Sequence, residues 1–243
     1  MPPPRQPNTP PCCEWTILQS GHLPLRPDGA YQPVEHRATI PLIWPAGQPP
    51  AAASALLVDP CFTRSGYDEA APVLARLGLS LDQIGWYFVT HDHFDHTLLL
   101  PRSAPGFTAR PFQPGKAGLL EGVQAVSLPG HADDLQAVVF TGADGRQVWV
   151  AGDAILNEEW LRAWAFYWPN NYQAAEVAET WRSVARVVAL ADVIVPGHGQ
   201  PIPVTAALAA DLLEAYPQAR YASHCPEVGG ILQRRLDALR AAG

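Results

Sequence analysis

His91, His93, Asp95 and His96 place four metal-binding donors within six positions of the run Thr90-His91-Asp92-His93-Phe94-Asp95-His96-Thr97. Imidazole nitrogen and carboxylate oxygen are the donors that divalent zinc, iron and manganese accept. The apolar residues 86–89 precede the run. A buried strand there would deliver His91 and His93 two residues apart, with both side chains on the same side of the extended chain. Asp95 and His96 then follow where a helix would begin with Leu98-Leu99-Leu100, and such a run can hold two cations side by side. An acidic residue near a helix start also complements the helix dipole, and single histidines sit in loops for many reasons. Three histidines and an aspartate at this spacing favour the metal reading, which requires further donors at later strand ends.

Those donors occur. Residues 123–128 read as a strand ending in Pro129-Gly130-His131. Residues 135–141 and 146–151 are two β-rich runs joined by the hairpin signal Gly142-Ala143-Asp144-Gly145, and the second ends in Gly152-Asp153. Residues 192–195 read as a strand ending in Pro196-Gly197-His198-Gly199. The candidate ligand set is therefore His91, His93, Asp95, His96, His131, Asp153 and His198. His22, His36 and His224 follow no strand and are assigned to surface or core. Asp59 ends the run 55–58 just before Pro60; it is either a turn-forming aspartate or a carboxylate that holds a ligand histidine from behind.

The elements that must position these residues follow from periodicity. Residues 14–19, 38–44 and 55–58 read as strands. Residues 67–77 carry apolar side chains at helical spacing and stop at Gly78, a C-cap residue. With 80–84 as a short connection into 86–89, this is the βαβ pattern of an α/β layer. Residues 107–112 suggest a strand and 116–121 a helical turn. Residues 157–172 are dense in aromatics, more often core than pocket, though their position behind Asp153 suits a cleft wall. Tyr172 or Tyr167 could there hydrogen-bond a substrate oxyanion. Residues 176–190 form an amphipathic helix, and the chain is helical from 204 on, with Leu232, Leu236 and Leu239 packing inward.

Composition narrows the function. The net charge of −7 over 243 residues offers no basic field for phosphate backbones, so nucleic acid is disfavoured as a partner and a small-molecule substrate is expected. No long uncharged apolar span or signal-type segment occurs, which predicts a soluble, cytoplasmic protein without a membrane partner. Cys12, Cys13, Cys61 and Cys225 lack paired spacing and read as free thiols. The prolines crowd residues 2–11 and 41–50; a flexible leader over 1–13 and one domain over 14–243 are expected. Nothing in the chain indicates an oligomeric state.

The ordered set H-x-H-x-D-H, Gly130-His131, Gly152-Asp153 and Gly197-His198 resembles the dinuclear signature of the metallo-β-lactamase superfamily. The resemblance covers roughly residues 14–204. It implies an α/β fold, a four-layer αβ/βα sandwich of two mixed sheets flanked by helices. It also implies that His91, His93 and His131 hold a first metal, that Asp95, His96 and His198 hold a second, and that Asp153 bridges them. Two Zn²⁺ are the implied cofactors, with Fe or Mn accepting the same donors. Two cations roughly 3.5 to 4 Å apart would share a hydroxide and polarise the electrophile, with Asp95 as proton acceptor or shuttle. A carboxylate at position 153 is similar to the lactonase, thioesterase and phosphodiesterase branches, although Ala132-Asp133-Asp134 replaces the Thr-Pro-Gly-like turn that lactone and thioester hydrolases often have after this histidine. The expected activity is hydrolysis of a small carboxylic ester, lactone or thioester. The alternatives are a metal-dependent phosphodiesterase or ribonuclease, with Arg102, Arg110 and Lys116 as local basic candidates, and a mononuclear-iron oxidoreductase.

Overall fold

The structure, a computed structural model, describes residues 12–51, 54–101, 104, 106–115 and 120–242. Most of the expected leader (1–11), Arg102, Lys116 and most of the expected turn at 116–121 lie outside the described residues.

Two five-stranded mixed sheets form the body. The first contains β1 (Cys13–Gln19), β2 (Ile40–Pro45), β3 (Leu56–Val58), β4 (Trp86–Phe88) and β5 (Arg110–Pro111), in that order. The second contains β6 (Gln124–Ser127), β7 (Gln136–Thr141), β8 (Gln147–Gly152), β9 (Val193–Pro196) and β10 (Ile202–Pro203), also side by side in chain order. β3–β4, β4–β5 and β8–β9 are parallel, and the other neighbours are antiparallel.

The two-residue period of each strand explains the layering. Leu56 and Val58 of β3 and Val148 and Val150 of β8 face one another in the core between the sheets, with Phe140 and Val195. The alternate residue Leu57 packs outward with Leu74 of α1 (Arg64–Arg76). Trp149 and Ala151 pack outward against α3 (Ala174–Leu190), α4 (Ala206–Ala215) and α5 (Glu227–Ala242). Burying a face on each side of both sheets yields the expected helix–sheet–sheet–helix sandwich. In α5, Leu232 and Leu236 are buried and Leu239 packs against the same core from a less buried position.

The parallel pairs do the positioning. Val58 pairs with Phe88, so Asp59 and the histidine run leave neighbouring strand ends together. Gly152 pairs with Pro196, so Asp153 and His198 leave the other sheet together. Ligand sites in α/β sheets collect at such carboxyl ends.

Three local expectations are corrected. No helix begins at Leu98: the His96 and Thr97 amides close a single turn onto the His93 carbonyl, and the chain then bridges Cys61 through Leu99. Pro101 disfavours helical backbone at the preceding residue, and Leu98 and Leu99 are exposed rather than packed. β4 is half-buried rather than fully buried. The strand expected over 107–112 is reduced to Arg110–Pro111, while β10 and the short α2 (Glu158–Arg162) are elements whose residues carry no periodic signal.

Candidate metal centre

All seven candidate ligands converge where the two sheets' strand ends meet, and each is buried except the half-buried His93. A first group joins His91 Nε2, His93 Nδ1, His131 Nε2 and Asp153 Oδ2. His93 Nδ1 lies 3.1 Å from His91 Nε2 and 3.0 Å from His131 Nε2, and Asp153 Oδ2 lies 3.3 Å from His131 Nε2. A second group joins His96, His198 and Asp153: Asp153 Oδ1 lies 3.2 Å from the Nε2 atom of each histidine. Asp95 Oδ2 stands 3.5 Å from His198 Nε2 and 4.0 Å from His96 Nε2. The two oxygens of Asp153 thus face opposite groups.

The rings are held from behind. Asp59, only 1% exposed, accepts hydrogen bonds from the Thr90 amide (2.7 Å) and the Thr90 hydroxyl (2.9 Å), and its Oδ2 lies 2.8 Å from His96 Nδ1. Thr90 Oγ1 in turn lies 3.0 Å from His91 Nδ1. Asp59 thus stands behind His96, a candidate ligand. It does so from the left-handed region, at φ 50°, where Asp is tolerated better than most residues. His198 Nδ1 is 2.9 Å from the Arg37 carbonyl. The Tyr172 hydroxyl donates to the His131 carbonyl (2.9 Å), lies 3.1 Å from His131 Nδ1 and accepts from Asn170 (2.6 Å). Its single proton is therefore engaged with His131 rather than free for a substrate oxyanion.

Glycines precede three of the distant ligands because nothing larger fits. A Cβ on Gly197 would stand 1.9 Å from Asp153 Oδ1, and one on Gly130, at φ +126°, would stand 2.3 Å from the Thr180 amide nitrogen.

The electrostatics suit cation binding. Burial pushes His91 down to about 4 and His131 to about 3, so both are neutral donors at pH 7. Burial opposes charge on His96 as well, but the Asp153 and Asp59 carboxylates outweigh it and hold that imidazolium well above its ordinary value; His198 is raised in the same way, chiefly by Asp153 against burial. Burial would raise Asp95, yet its hydrogen bond from His36 and the nearby His96 bring it to about 2. Asp153 is fully buried and still ionised well below the carboxylate range, because His198, His96 and His131 surround it.

The residues fit a metal. Among the described residues, His96 Nε2 and Asp153 Oδ1 are two of the few buried polar side-chain atoms without a hydrogen-bond partner, and both aim into the second group. Buried polar atoms are almost always paired; a cation between them would satisfy both. One expectation follows. At pH 7 His96, held well above its ordinary value, must release its proton on taking a cation, whereas neutral His91 and His131 release none. Calorimetric titration of metal-free protein with a divalent cation, in buffers of different ionisation enthalpy, should show at least one net proton released over the titration, and weakening uptake as pH falls.

Beside the ligands lies a cleft of about 410 Å³, whose walls are Leu23, Phe94, Leu156, Tyr167 and Tyr172 and whose floor carries His93, Asp95, His131, Asp153 and His198. The aromatic stretch divides between roles. Trp160 and Trp164 are core, while Tyr167 and Tyr172 line the cleft. His22 and His224 are exposed as expected. His36 is not: its Nε2 lies 2.9 Å from Asp95 Oδ2, and it lines the cleft. No spacing signal marked it, because it follows no strand. Arg110 lies on β5 against the ring of Trp86, away from the cleft. Cys12, Cys61 and Cys225 are free thiols, and no helix of the described residues is long and apolar enough to cross a membrane.

No family model matches the sequence, and no curated protein matches it. Solved structures do. A Staphylococcus aureus protein assigned provisionally as a metal-dependent hydrolase superposes with a TM-score of 0.52 at 12% identity, over 79% of this chain and 91% of its own. A Thermotoga maritima protein assigned provisionally as a metallo-β-lactamase gives 0.50 at 19% identity, over 79% of this chain and 99% of its own. A quorum-quenching N-acyl homoserine lactone lactonase gives 0.49 at 15% identity, over 79% and 93%. The chain has the metallo-β-lactamase fold.

Proposed function

We propose that this protein is a metal-dependent hydrolase of a small carboxylic ester, lactone or thioester, working with a pair of divalent cations, zinc first among them. The observation that carries the choice of substrate is the cleft. Its described lining combines apolar and aromatic walls with a floor of metal donors, and it contains no lysine or arginine. A phosphodiester brings a charge that such a wall does not meet, whereas a neutral acyl compound with an apolar substituent suits it. When bound, a pair of divalent cations supplies Lewis acidity toward the scissile carbonyl and a nucleophile from water at neutral pH.

The chain's own residues do the rest. His91, His93, His131 and Asp153 would hold one cation, and His96, His198 and Asp153, with Asp95 alongside His198, the other. Asp95 stays ionised at neutral pH and borders the cleft, so it can accept a proton and pass it to a leaving oxygen or sulfur. Tyr172 keeps His131 in one orientation by gripping both its ring and its carbonyl. Leu156 and Tyr167 exclude water from one wall.

The test is metal analysis with a panel of lactones, thioesters, aryl esters and a phosphodiester. Turnover of an acyl substrate that a chelator abolishes and added metal restores is the expected result. A rate on the phosphodiester exceeding that on every acyl substrate, or no metal-dependent turnover at all, would sink the assignment. For Tyr172→Phe, the expectation is metal affinity about 10-fold weaker, the lower end for residues that orient a ligand, read by chelator competition. Unchanged affinity with a lowered kcat would move Tyr172 from holding His131 to contacting the substrate.

A further inference from the structure

We propose that His36 is a ligand of the second cation, forming with Asp95 and His198 an outer seat at the cleft, distinct from the inner seat of His96, Asp153 and His198. The idea rests on the metal-hydrolase reading only in that it requires a cation to be taken up. One donor atom from each of His36, Asp95 and His198 lies within 4.8 Å of the others. His36 Nε2 is 2.9 Å from Asp95 Oδ2, which is 3.5 Å from His198 Nε2. The donor atoms of the first group stand at comparable separations, 3.0 and 3.1 Å between histidine nitrogens and 3.3 and 3.9 Å from Asp153 Oδ2 to His131 and His91.

His36 is held in place rather than swinging in solvent. Its successor Arg37 pairs through its backbone with His22 in both directions, at 2.8 and 3.1 Å. The Arg37 side chain is buried and fastened to Glu69 (2.9 Å) and Ser65 (3.2 Å) of α1. The His36 ring itself lies edge-on to Phe94, with centroids 5.9 Å apart, and 5.1 Å from the ring of His198.

The two seats share His198, whose Nδ1 faces the Arg37 carbonyl, so only Nε2 is available to a cation. One nitrogen lone pair serves one cation, and the second cation therefore occupies one seat at a time. The inner seat is enclosed by buried donors, whereas His36 is 29% exposed along its side chain and opens on the cleft. Two imidazoles and a carboxylate with one side open are the donor set of a catalytic rather than a purely structural site. His36 thus sets how far the second cation stands toward the substrate.

The test titrates metal-free wild type, His36→Ala and His36→Gln with Co²⁺, following the visible absorption bands and competition by a chelator. The expected result is a first equivalent within about 2-fold of wild type and a second weakened about 10-fold or more in both variants, with altered bands for that equivalent. His36→Gln makes the result decisive, since its amide can still donate a hydrogen bond to Asp95 but binds a cation poorly. A wild-type second affinity and spectrum in His36→Gln would overturn the proposal and leave His36 as a hydrogen-bond donor to Asp95. Wild-type behaviour of His36→Ala would overturn it as well. Failure of the wild-type protein itself to take up Co²⁺ would overturn the metal reading together with this one, so the two failures are distinguishable.

Discussion

Asp153→Ala is expected to lower metal content from two equivalents to less than one per chain and to reduce acyl hydrolysis by at least about 10³-fold, the upper range for removing one group aimed at transition-state charge. No other ligand is placed to do this. Its Oδ2 addresses His131 at 3.3 Å and its Oδ1 addresses His96 and His198 at 3.2 Å, so one truncation removes a donor from both groups. It also strips the fully buried imidazoles of the anion that balances them. The repulsion that remains disfavours a positive ion at either position, which is why the loss should exceed that of a single terminal ligand. Elemental analysis after dialysis, with circular dichroism to confirm the fold, is the measurement. A variant that retains two equivalents would refute the bridging role.

Asp59→Ala is expected to have the second largest effect, although Asp59 is in neither cation group. The substitution leaves the buried Thr90 amide without its 2.7 Å acceptor and frees both the Thr90 hydroxyl and His96 Nδ1. An orphaned buried donor costs about 1–3 kcal/mol, and loss of a group that orients ligand histidines weakens metal binding about 10- to 100-fold. Asp59→Asn separates the two contributions. Its side-chain oxygen can still accept from the Thr90 amide, but its NH₂ meets the His96 Nδ1 proton head-on, so metal affinity should fall while the denaturation midpoint of the metal-free protein moves little. Equal losses in both properties for Ala and Asn would mean that Asp59 acts only as a buried structural anion.

The candidate ligands were legible because they follow apolar runs, and a strand end is a place that alternation and glycine can mark. Gly130-His131 and Gly197-His198 are visible as words in the sequence for a steric reason: a side chain at either glycine would collide with Thr180 or with Asp153. The sheets were legible from the same alternation, since Leu56 and Val58 turn inward and Leu57 outward. His36 was not. It owes its place to a buried arginine next door that docks on α1 and to a backbone pairing with His22, neither of which leaves a periodic trace. Tyr172 could be placed near the cleft by position, but its grip on His131 depends on the turn through Asn170 and Asn171, the latter at φ 55°. Leu98-Leu99-Leu100 misled for the opposite reason: three helix-forming residues sit in front of Pro101, and Leu98 and Leu99 are exposed, with only Leu100 packed against the core.

The meeting of a strand end from one sheet with three from the other has a thermodynamic meaning as well as a chemical one. His91 and His93 come from the first sheet and His131 and Asp153 from the second, and the second group likewise pairs His96 with His198. A cation taken up at this seam is a cross-link between halves of the chain that an unfolded ensemble does not offer. By mass action it adds about 4 kcal/mol to folding when the free ion exceeds its dissociation constant 1,000-fold. The folded population is then a function of metal supply, and starvation for the ion would deplete the protein itself and not only its turnover.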